Sequence, residues 1–564
     1  MNSPNPALVA QRAAQRLPRV ALFLFCAAYV LPGVFGRDPW KNADLSAFGY
    51  MVGIAQGRTA WIAPMLGGLP ADGALLPYWL GAAFIKLLGP GLDPAIAARI
   101  PFALLLMLVL ALTWYSTYYL ARTDAAQPLP FAFGGEAKPV DYARAIADGA
   151  VLALIASLGL LQLGHETTPE LVQLASVALY LYALAANPYR PWPARIAVLV
   201  ALPSLASSGA PSITLALGIV GVAQCALPVQ GSDRRFLPWI AGATLLSAAA
   251  AYALNAWGWR VAGWPAPGDV LELVNLIAWF AWPAWLLAVW TLWRWRGHLS
   301  DRHIAVPLAC LVVSVFATVA IGGSARVLML GLPPLAALAA FALPTLQRSA
   351  AAAIDWFSVC FFTICAAVIW VVYCSMQTGV PAKPAMNIER LSPGYVHVFS
   401  PLALALALAG TLAWLWLVKW RTGPGRHPLW KSLVLPASGV ALCLLLVMTL
   451  LLPPLDNARS YRSMVQRVAQ RVPAGSCVAA PGVQRPAVAA LEYWGRYQVD
   501  ALAPAALTRC DFMVLIDTRA APAAAGPGWR LLTRERRNNN DEELVSIYRR
   551  SGKTVRRQRA DIVK

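Results

Sequence analysis

The side chains that could act as a general base are concentrated near the start of the chain. Asp38, Asp44 and Asp72 all lie in the segment 37–96, which separates the first two long apolar runs. A carboxylate fixed beside a membrane cavity can accept the proton of an acceptor hydroxyl group. Each also has a structural interpretation, because Asp44 can cap the helix predicted at 45–56 and the other two precede turn residues. We predict all three as catalytic candidates and place Asp44 first.

A second group of polar residues lies in the segment 164–171, between two later apolar runs. It contains His165, Glu166 and Glu170, and it is predicted to emerge on the same side as Asp44. The structural alternative is a tight polar hairpin with a capping box. The functional interpretation places these side chains over one cavity, with Glu170 as a further catalytic acid and His165 and Glu166 near the acceptor. The sequence favours neither interpretation.

A lone arginine, Arg326, opens an apolar run directly after two glycines. Its guanidinium group stays protonated and presents a fork of N–H donors that suits a phosphate. The glycines allow a ligand to approach the backbone closely. The alternative is that Arg326 extends towards a lipid headgroup. We favour phosphate binding.

The elements that position these residues are predicted to be membrane-spanning helices. Hydrophobic residues make up 59% of the 564-residue chain and charged residues only 13%, whereas a soluble domain is about 25% charged. This composition excludes a soluble enzyme. A helix needs about 20 apolar residues to cross a bilayer, and about thirteen segments of suitable length are present. They lie near 20–36, 97–120, 146–163, 170–186, 194–207, 211–229, 237–256, 273–292, 304–321, 326–346, 352–376, 399–418 and 432–452.

The distribution of charge predicts the orientation. The chain has 46 Lys and Arg against 26 Asp and Glu, a net charge of +20. Basic residues are most frequent in alternate short loops, beginning with the N-terminal segment, and such loops face the cytoplasm. We therefore predict a cytoplasmic N-terminus and explain the positive charge by orientation and anionic lipids, not by nucleic acid. No small-residue cleavage site follows the first run, so we predict a retained span instead of a signal peptide.

Three regions are predicted. Residues 1–452 form the transmembrane domain, in which the first outer loop, 37–96, carries helices at 45–56 and 74–88 that lie at the membrane interface and could roof a cavity. Tyr78, in the second of these helices, is predicted to line that cavity. Residues 453–550 form a small α/β domain outside the membrane, and 551–564 a disordered basic tail.

The α/β domain is predicted from its change of pattern. Residues 459–471 have helical spacing, and short apolar stretches near 476–480, 497–501, 512–517, 529–534 and 544–549 are typical of strands. Cys477 and Cys510 lie near strand starts, where an oxidising compartment would allow a disulfide. The sequence alone leaves this pairing open.

The sequence lacks the motifs of several cofactor classes. The sequence contains no Walker loop and no dinucleotide motif after a strand, which argues against a nucleotide donor and favours a lipid-borne one. No Cys/His spacing suits zinc. We predict no metal or other cofactor, although the clustered acids leave a divalent cation open.

The whole pattern resembles the GT-C glycosyltransferases, specifically the relatives of aminoarabinose (lipid A) transferase and protein O-mannosyltransferase (families 39 and 83). The resemblance implies a GT-C fold and transfer of a sugar, with inversion, from a polyprenyl phosphate to an envelope acceptor on the periplasmic face of a bacterial inner membrane. The acceptor class stays open among lipid A, another glycolipid, a glycan and a protein. The resemblance itself rests on the number of spans, the acidic first outer loop, Thr168-Pro-Glu-Leu, Arg326 followed by Leu332-Pro-Pro-Leu, and the terminal α/β domain.

The resemblance also implies site residues. Relatives carry an acidic pair in the first outer loop; Asp44 matches its second member, and Ala43 replaces the first. Relatives also have a basic residue before a Pro-Pro-Leu motif later in the loop, where this chain reads Asp72-Gly-Ala-Leu-Leu-Pro-Tyr-Trp without that residue. The donor phosphate would therefore be bound by Lys41, Arg58 or Arg326. Asp44 would deprotonate or orient the acceptor.

The predicted partners are a polyprenyl-phosphate sugar donor, a lipid or glycan acceptor and membrane lipids, without nucleic acid, for a monomeric enzyme. Glu170, after Pro169, stands where relatives have Asp beside Pro. The alternatives are a lipid-linked sugar transporter or flippase without chemistry, and a structural subunit of an envelope complex. Transporters often show paired inverted repeats, and we find no convincing repeat between the halves of the chain.

Overall fold

The apolar runs of the chain form long helices, with a small sheet domain after them. The computed structural model describes residues 6–40, 42–226, 234–254, 256–257, 267–392, 395, 397–423, 428–518, 525–536 and 543–551. Helices are expected here because a backbone in lipid must satisfy its own hydrogen bonds.

The helical body contains nineteen helices in the described residues and one short hairpin. In chain order they are α1 (Arg19–Val30), α2 (Ala43–Ala55), the hairpin β1 (Met65–Leu66) and β2 (Leu69–Pro70), α3 (Leu75–Leu88), α4 (Pro94–Ala121), α5 (Pro139–Ala156), α6 (Leu160–Leu163), α7 (Pro169–Ala186), α8 (Pro191–Ser207), α9 (Pro211–Ala226), α10 (Leu237–Ala253), α11 (Pro267–Phe280), α12 (Ala284–Arg294), α13 (Arg302–Ala320), α14 (Ala325–Leu328), α15 (Leu332–Ala340), α16 (Arg348–Thr378), α17 (Ala382–Leu391), α18 (Pro401–Thr422) and α19 (Lys431–Leu450).

The number of membrane crossings differs from the number of predicted runs. Within the described ranges, seven helical stretches are long and apolar enough to cross a membrane, or eight if α11 and α12, which meet at a bend of 94°, count as one. Each of the thirteen predicted runs overlaps one or more of the helices above. Several are short, however: α1 has 12 residues, which extends about 18 Å, less than the roughly 30 Å of a hydrocarbon core. Thirteen crossings therefore stay a prediction.

The centre of the body is formed by α4, α5, α7, α15 and α19: α5 packs against α4, α15 and α19, and α4 packs against α7 and α15. Every residue of α15 is buried. Small residues let these helices approach closely; at Gly149 in α5, for example, an added Cβ would lie 2.4 Å from the Cδ1 atom of Leu343. This packing brings the N-terminal ends of α4 and α7 and the segment 164–168 to one end of the body.

In its described residues, the C-terminal domain has three α-helices and a five-stranded sheet. These are α20 (Leu452–Arg459), α21 (Arg462–Ala469), β3 (Cys477–Ala479), α22 (Arg485–Tyr493), β4 (Gln498–Asp500), β5 (Phe512–Thr518), β6 (Trp529–Arg536) and β7 (Glu543–Arg550). The strand order is β4-β3-β5-β7-β6; β3 is parallel to β4 and β5, and β7 is antiparallel to β5 and β6.

The sequence prediction for this domain is confirmed for all five strands, and Cys477 and Cys510 form a disulfide. The single helix predicted at 459–471 is instead α21, which follows α20 after an extended residue, Ser460. The hydroxyl of Ser460 accepts a hydrogen bond from the backbone N–H of Arg462 and so marks the new start. The predicted disordered tail, except Ser551, lies outside the described residues.

The two helices predicted in the first outer segment are present as α2 and α3, and the C-terminal domain packs on them. Gly49 in α2 contacts Ala489 in α22 so closely that an added Cβ would lie 2.6 Å from the Ala489 Cβ. The carboxylate of Glu492 accepts a hydrogen bond from the backbone N–H of Gly67 at 2.8 Å, and the Gly67 carbonyl accepts one from Ala501 at 2.9 Å. These contacts fix the domain over the outer segment.

Candidate active site

A cavity of about 670 Å³ lies where the first outer segment, the helical body and the C-terminal domain meet. Its volume falls within the roughly 300–1,000 Å³ of small-molecule sites. Each of the three parts supplies polar side chains to its wall. The lining residues are Asn42, Ala43, Ser46, Ala47, Tyr50, Leu69, Asp72, Ala74 and Tyr78 from the outer segment, Pro169, Glu170, Gln173, Ser208 and Gly209 from the body, and Val483, Gln484, Arg485 and Pro486 from the domain.

Three of the predicted site residues line this cavity. Glu170 lies in the first turn of α7, which Pro169 begins. Asp72 binds Arg485 through both carboxylate oxygens, at 2.9 and 3.1 Å. Tyr78 is almost fully buried, with its ring 5.0 Å from that of Tyr50, and burial raises the pKa of its hydroxyl group above the ordinary value. The cavity therefore has two carboxylates on its wall.

Asp44 lies behind the cavity wall and not on it. Its side chain is 1% exposed. One oxygen accepts hydrogen bonds from the backbone and the hydroxyl of Thr167, both at 2.7 Å, and the other accepts from the backbone of Trp40 at 3.1 Å. None of these donors belongs to α2, so Asp44 does not cap that helix. It is Ala43, the neighbouring residue, that faces the cavity.

The charge of Asp44 is balanced by two buried arginines. The Nη2 atom of Arg37 lies 3.4 Å from its carboxylate, and Arg99 donates from Nη1 to the Arg37 carbonyl at 2.6 Å. Burial acts to raise the pKa of Asp44, but the charges of Arg37 and Arg99 and the hydrogen bonds from Thr167 outweigh it and lower this pKa. Asp44 is therefore ionised, and it ties the first outer loop to the segment before α7.

Arg326 contacts two glutamates, Glu166 in the segment before α7 and Glu170 in the first turn of α7. Its Nη2 atom binds the Glu166 carboxylate at 2.6 Å, and its Nη1 atom lies 3.8 Å from the Glu170 Oε2 atom. Burial and the charge of Asp44 raise the pKa of Glu166, against the opposing effect of Arg326. Among the described residues, neither the Arg326 Nη1 atom nor the Glu170 Oε2 atom has a hydrogen-bond partner. Both atoms are buried, and of these two residues Glu170 lines the cavity whereas Arg326 does not.

His165 is buried, and its contacts hold the segment before α7 in place. Its ring nitrogens lie 2.8 Å from the carbonyl oxygens of Leu161 and Tyr29, and its own carbonyl accepts from Arg37 at 2.6 Å. Burial lowers the pKa of His165 to about 4, although the two carbonyl contacts oppose this. The residue does not line the cavity, so its place is structural.

The remaining predicted residues contact the C-terminal domain. Asp38 binds Arg462 at 3.1 Å and accepts a hydrogen bond from the Ser460 hydroxyl at 2.9 Å. Arg58 forms an ion pair with Glu492. Both residues hold the domain in position, outside the cavity lining. Lys41 lies outside the described residues.

Sequence reasoning missed Arg37, Arg99, Arg459 and Arg485. Arg99 interrupts an apolar run in the same way as Arg326, and that signal could have identified it. The Arg37 and Arg459 guanidinium groups lie 4.6 and 4.7 Å from the centre of the Trp40 ring. Nothing in the local sequence marks Arg485, which meets Asp72 from 413 residues away. Among the described residues, no three His, Cys, Asp or Glu side chains are grouped closely enough to hold a metal ion.

Comparison with known proteins identifies the fold. No protein-family model matches the chain, and no curated protein matches it. The crystal structure of ArnT from Cupriavidus metallidurans bound to undecaprenyl phosphate is similar, with a TM-score of 0.60 and 13% identity over 94% of this chain and 97% of that chain. The same protein in the apo state gives a TM-score of 0.60 and 12% identity over 94% of this chain and 96% of that one. The chain therefore has an ArnT-like fold, as its sequence resemblance implied.

Proposed function

We propose that the protein is a glycosyltransferase of the bacterial inner membrane that transfers a sugar from a polyprenyl phosphate to an envelope acceptor. The observation that carries this proposal is Glu170, which lines the large cavity and forms an ion pair with Arg326. The Glu170 Oε2 atom and the Arg326 Nη1 atom lie 3.8 Å apart, and among the described residues neither has a hydrogen-bond partner. The fold supports the same function, because ArnT has been solved with undecaprenyl phosphate bound.

Arg326 would stabilise the phosphate that leaves. Its side chain is 24% exposed, and Glu166 fixes one end of the guanidinium fork, which leaves the Nη1 atom directed at Glu170. Charge-assisted hydrogen bonds from a fixed arginine stabilise developing negative charge without a costly rearrangement. Arg37 and Arg99, buried close by, add positive potential to the same end of the body.

Glu170 would act as the general base. The acceptor hydroxyl oxygen forms a bond to the anomeric carbon, and Glu170 takes the hydroxyl proton. The bond between that carbon and the phosphate oxygen breaks, and the phosphate leaves with the bonding electrons beside Arg326. One such displacement inverts the anomeric centre, and no covalent enzyme intermediate forms.

Asp44 would then be a positioning residue in this reaction. All of its contacts, to Thr167, Trp40 and Arg37, are made with the protein. By holding Thr167, it fixes the backbone that carries Glu166 and leads into α7. Asp72, Tyr78 and Asn42, on the other side of the cavity, offer polar groups to the sugar or the acceptor.

The test is product formation by the purified full-length protein. The protein in detergent is incubated with a panel of polyprenyl-phosphate sugars and with lipid A or a lipid-linked glycan, and the products are identified by mass spectrometry. We expect a glycosylated acceptor and free polyprenyl phosphate in equal amounts. Movement of the lipid-linked sugar across the membrane of proteoliposomes, without formation of a glycosylated acceptor, would support the transporter alternative and refute the transferase proposal.

The acceptor can be found in cells. Lipopolysaccharide, lipid-linked sugars and periplasmic glycoproteins from a deletion strain and its parent are compared by mass spectrometry. A transferase predicts a missing sugar on one acceptor and an accumulated polyprenyl-phosphate sugar. Restoration by the wild-type gene, but not by one encoding Glu170→Gln, would connect the missing sugar to this site.

A further inference from the structure

A second cavity, of about 440 Å³, lies at the opposite end of the helical body. The first cavity adjoins the N-terminal end of α7, whereas Arg190 in the second follows its C-terminal end. Arg122 similarly follows the last residue of α4. Because α4 has 28 residues, its ends are about 42 Å apart. The two cavities are therefore separate sites.

Four arginines and five aromatic side chains line this second cavity. The arginines come from four parts of the chain: Arg19 begins α1, Arg122 follows α4, Arg144 lies in α5, and Arg190 precedes α8. Basic residues that only set the orientation of a membrane protein need no common location. Four positive charges around one hollow repel one another unless an anion offsets them.

Two carboxylates of the protein, Asp141 and Asp148, offset part of this positive charge. Among the described residues, only Arg144 of the four has a carboxylate within ion-pair distance, that of Asp141 at 3.9 Å. Asp148, buried nearby, interacts electrostatically with Arg19 and Arg144, and it accepts hydrogen bonds from the backbone of Leu17 and from the Trp114 ring, both at 2.7 Å. Two carboxylates against four arginines leave an excess of positive charge. A cavity with this charge balance favours an anionic ligand.

Aromatic rings hold two of the arginines in place without using their N–H groups. The Arg19 guanidinium lies 5.2 Å from the centre of the Trp114 ring, and that of Arg122 lies 4.8 Å from the centre of the Tyr189 ring. Such contacts are favourable and leave the guanidinium edges free to donate hydrogen bonds. Within the described residues, the side chains of Arg19, Arg122 and Arg190 make no hydrogen bond to the protein.

We propose that this cavity binds the phosphate of an anionic lipid headgroup. Several guanidinium forks and tyrosine hydroxyls match phosphate oxygens. A lipid suits the site better than free phosphate does, because the cavity is at the end of long apolar helices and Tyr115, on its rim, is 48% exposed. Tyrosines in such positions lie at the level of lipid headgroups. With the predicted orientation, the lipid belongs to the cytoplasmic leaflet, and the proposal does not depend on sugar transfer.

The test is lipid binding by the purified full-length protein in detergent, measured by native mass spectrometry. The probes are phosphatidylglycerol, phosphatidylcholine and inorganic phosphate. We expect phosphatidylglycerol to bind at least about tenfold more tightly than phosphatidylcholine, and inorganic phosphate to compete only weakly. R122Q/R190Q should lower the affinity for phosphatidylglycerol roughly tenfold or more, since each basic residue near a lipid surface contributes measurably.

Two further variants distinguish a built site from general surface charge. R122K/R190K keeps the charge and should stay within a few-fold of the wild type. R294Q/R296Q removes two exposed arginines from the end of α12, where Arg294 also lies beside a tryptophan, and should change nothing. An equal loss in that control, equal binding of the two lipids, or binding of inorganic phosphate without phosphatidylglycerol would each overturn the proposal. Unchanged elution in size-exclusion chromatography shows that each variant is folded.

Discussion

Glu170 and Asp44 differ in what surrounds their carboxylates, and this difference assigns them different work. Glu170 is 23% exposed at the cavity, while Asp44 is 1% exposed and bonded to the protein through both oxygens. A general base must reach the proton that it removes. The family resemblance alone would place Asp44 in that role, but its neighbour Ala43 lines the cavity and Asp44 does not.

We expect Glu170→Gln to lower kcat on the order of 100-fold or more and to leave KM nearly unchanged, because it removes the proton acceptor but keeps the shape of the side chain. The measurement is steady-state transfer with a saturating polyprenyl-phosphate sugar. Asp72→Asn is the matched control, since it changes the other carboxylate on the cavity wall; it should mainly raise KM. A Glu170→Gln enzyme with normal kcat would exclude the residue as the base.

Asp44→Asn should lower thermal stability at neutral pH, because breaking a buried ion pair costs about 3–5 kcal/mol. The folded protein holds the pKa of Asp44 below its ordinary value. Its contribution to stability is therefore fully present above the unfolded pKa of about 3.9 and is lost only as the pH falls through the lower, folded pKa. Melting curves in detergent at several pH values measure this.

The wild type and Asp44→Asn should differ in Tm by a constant amount from about pH 7 to pH 5, and the difference should narrow below about pH 4. Ser46→Ala is a suitable control, since Ser46 also lies in α2 and its hydroxyl only donates to the Asn42 carbonyl. A Tm difference that shrinks already between pH 7 and pH 5 would contradict an ionised, strongly stabilised Asp44.

Among the elements, the strands of the C-terminal domain are short, and a covalent link supplements them. β3 has only three residues, and the disulfide between Cys477 and Cys510 joins it to the chain just before β5. Because β3 lies between β4 and β5 in the sheet, its loss would separate β4 from the other strands. The same domain supplies residues 483–486 to the cavity wall.

C477S/C510S should destabilise this domain. The bridge closes a loop of 33 residues, and the chain-entropy relation gives about 4 kcal/mol for that length. Limited proteolysis should then cut the variant within 453–550 faster than the wild type. C360S/C374S, which replaces two exposed free cysteines, should behave as the wild type does. Equal cutting of both variants would show that the bridge contributes nothing.

The sequence predicted secondary-structure elements better than it predicted tertiary contacts. Apolar runs and alternating strands are local patterns, so most of the helices and all five strands of the C-terminal domain were identified. α22 was missed because it has only nine residues, too few for a clear helical period. The ion pair of Asp72 with Arg485 and the hydrogen bonds of Asp44 with Thr167 join residues 413 and 123 positions apart. Such contacts follow from tertiary packing, which no local pattern encodes.

Two of the cavities among the described residues differ in character and lie at opposite ends of the same helices. One lies under the C-terminal domain and is lined by two acids, Asp72 and Glu170, and by Arg485; the other is lined by arginines and aromatic rings. The proposed function requires the first to face the periplasm, and the proposed lipid site requires the second to face the cytoplasm. Both proposals therefore depend on one orientation, which the basic loops and the disulfide of the C-terminal domain favour.

We expect alkaline phosphatase, which is active only outside the cytoplasm, to be active when fused after Arg550 and inactive when fused after Gln127. Gln127 follows α4 at the end of the body that carries the second cavity. Green fluorescent protein, which folds poorly in the periplasm, should give the opposite pattern at the two positions, and immunoblots control for expression. The reverse result would place the acidic cavity in the cytoplasm, where a periplasmic acceptor could not reach Glu170, and it would refute the proposed transfer reaction even if the fold is unchanged.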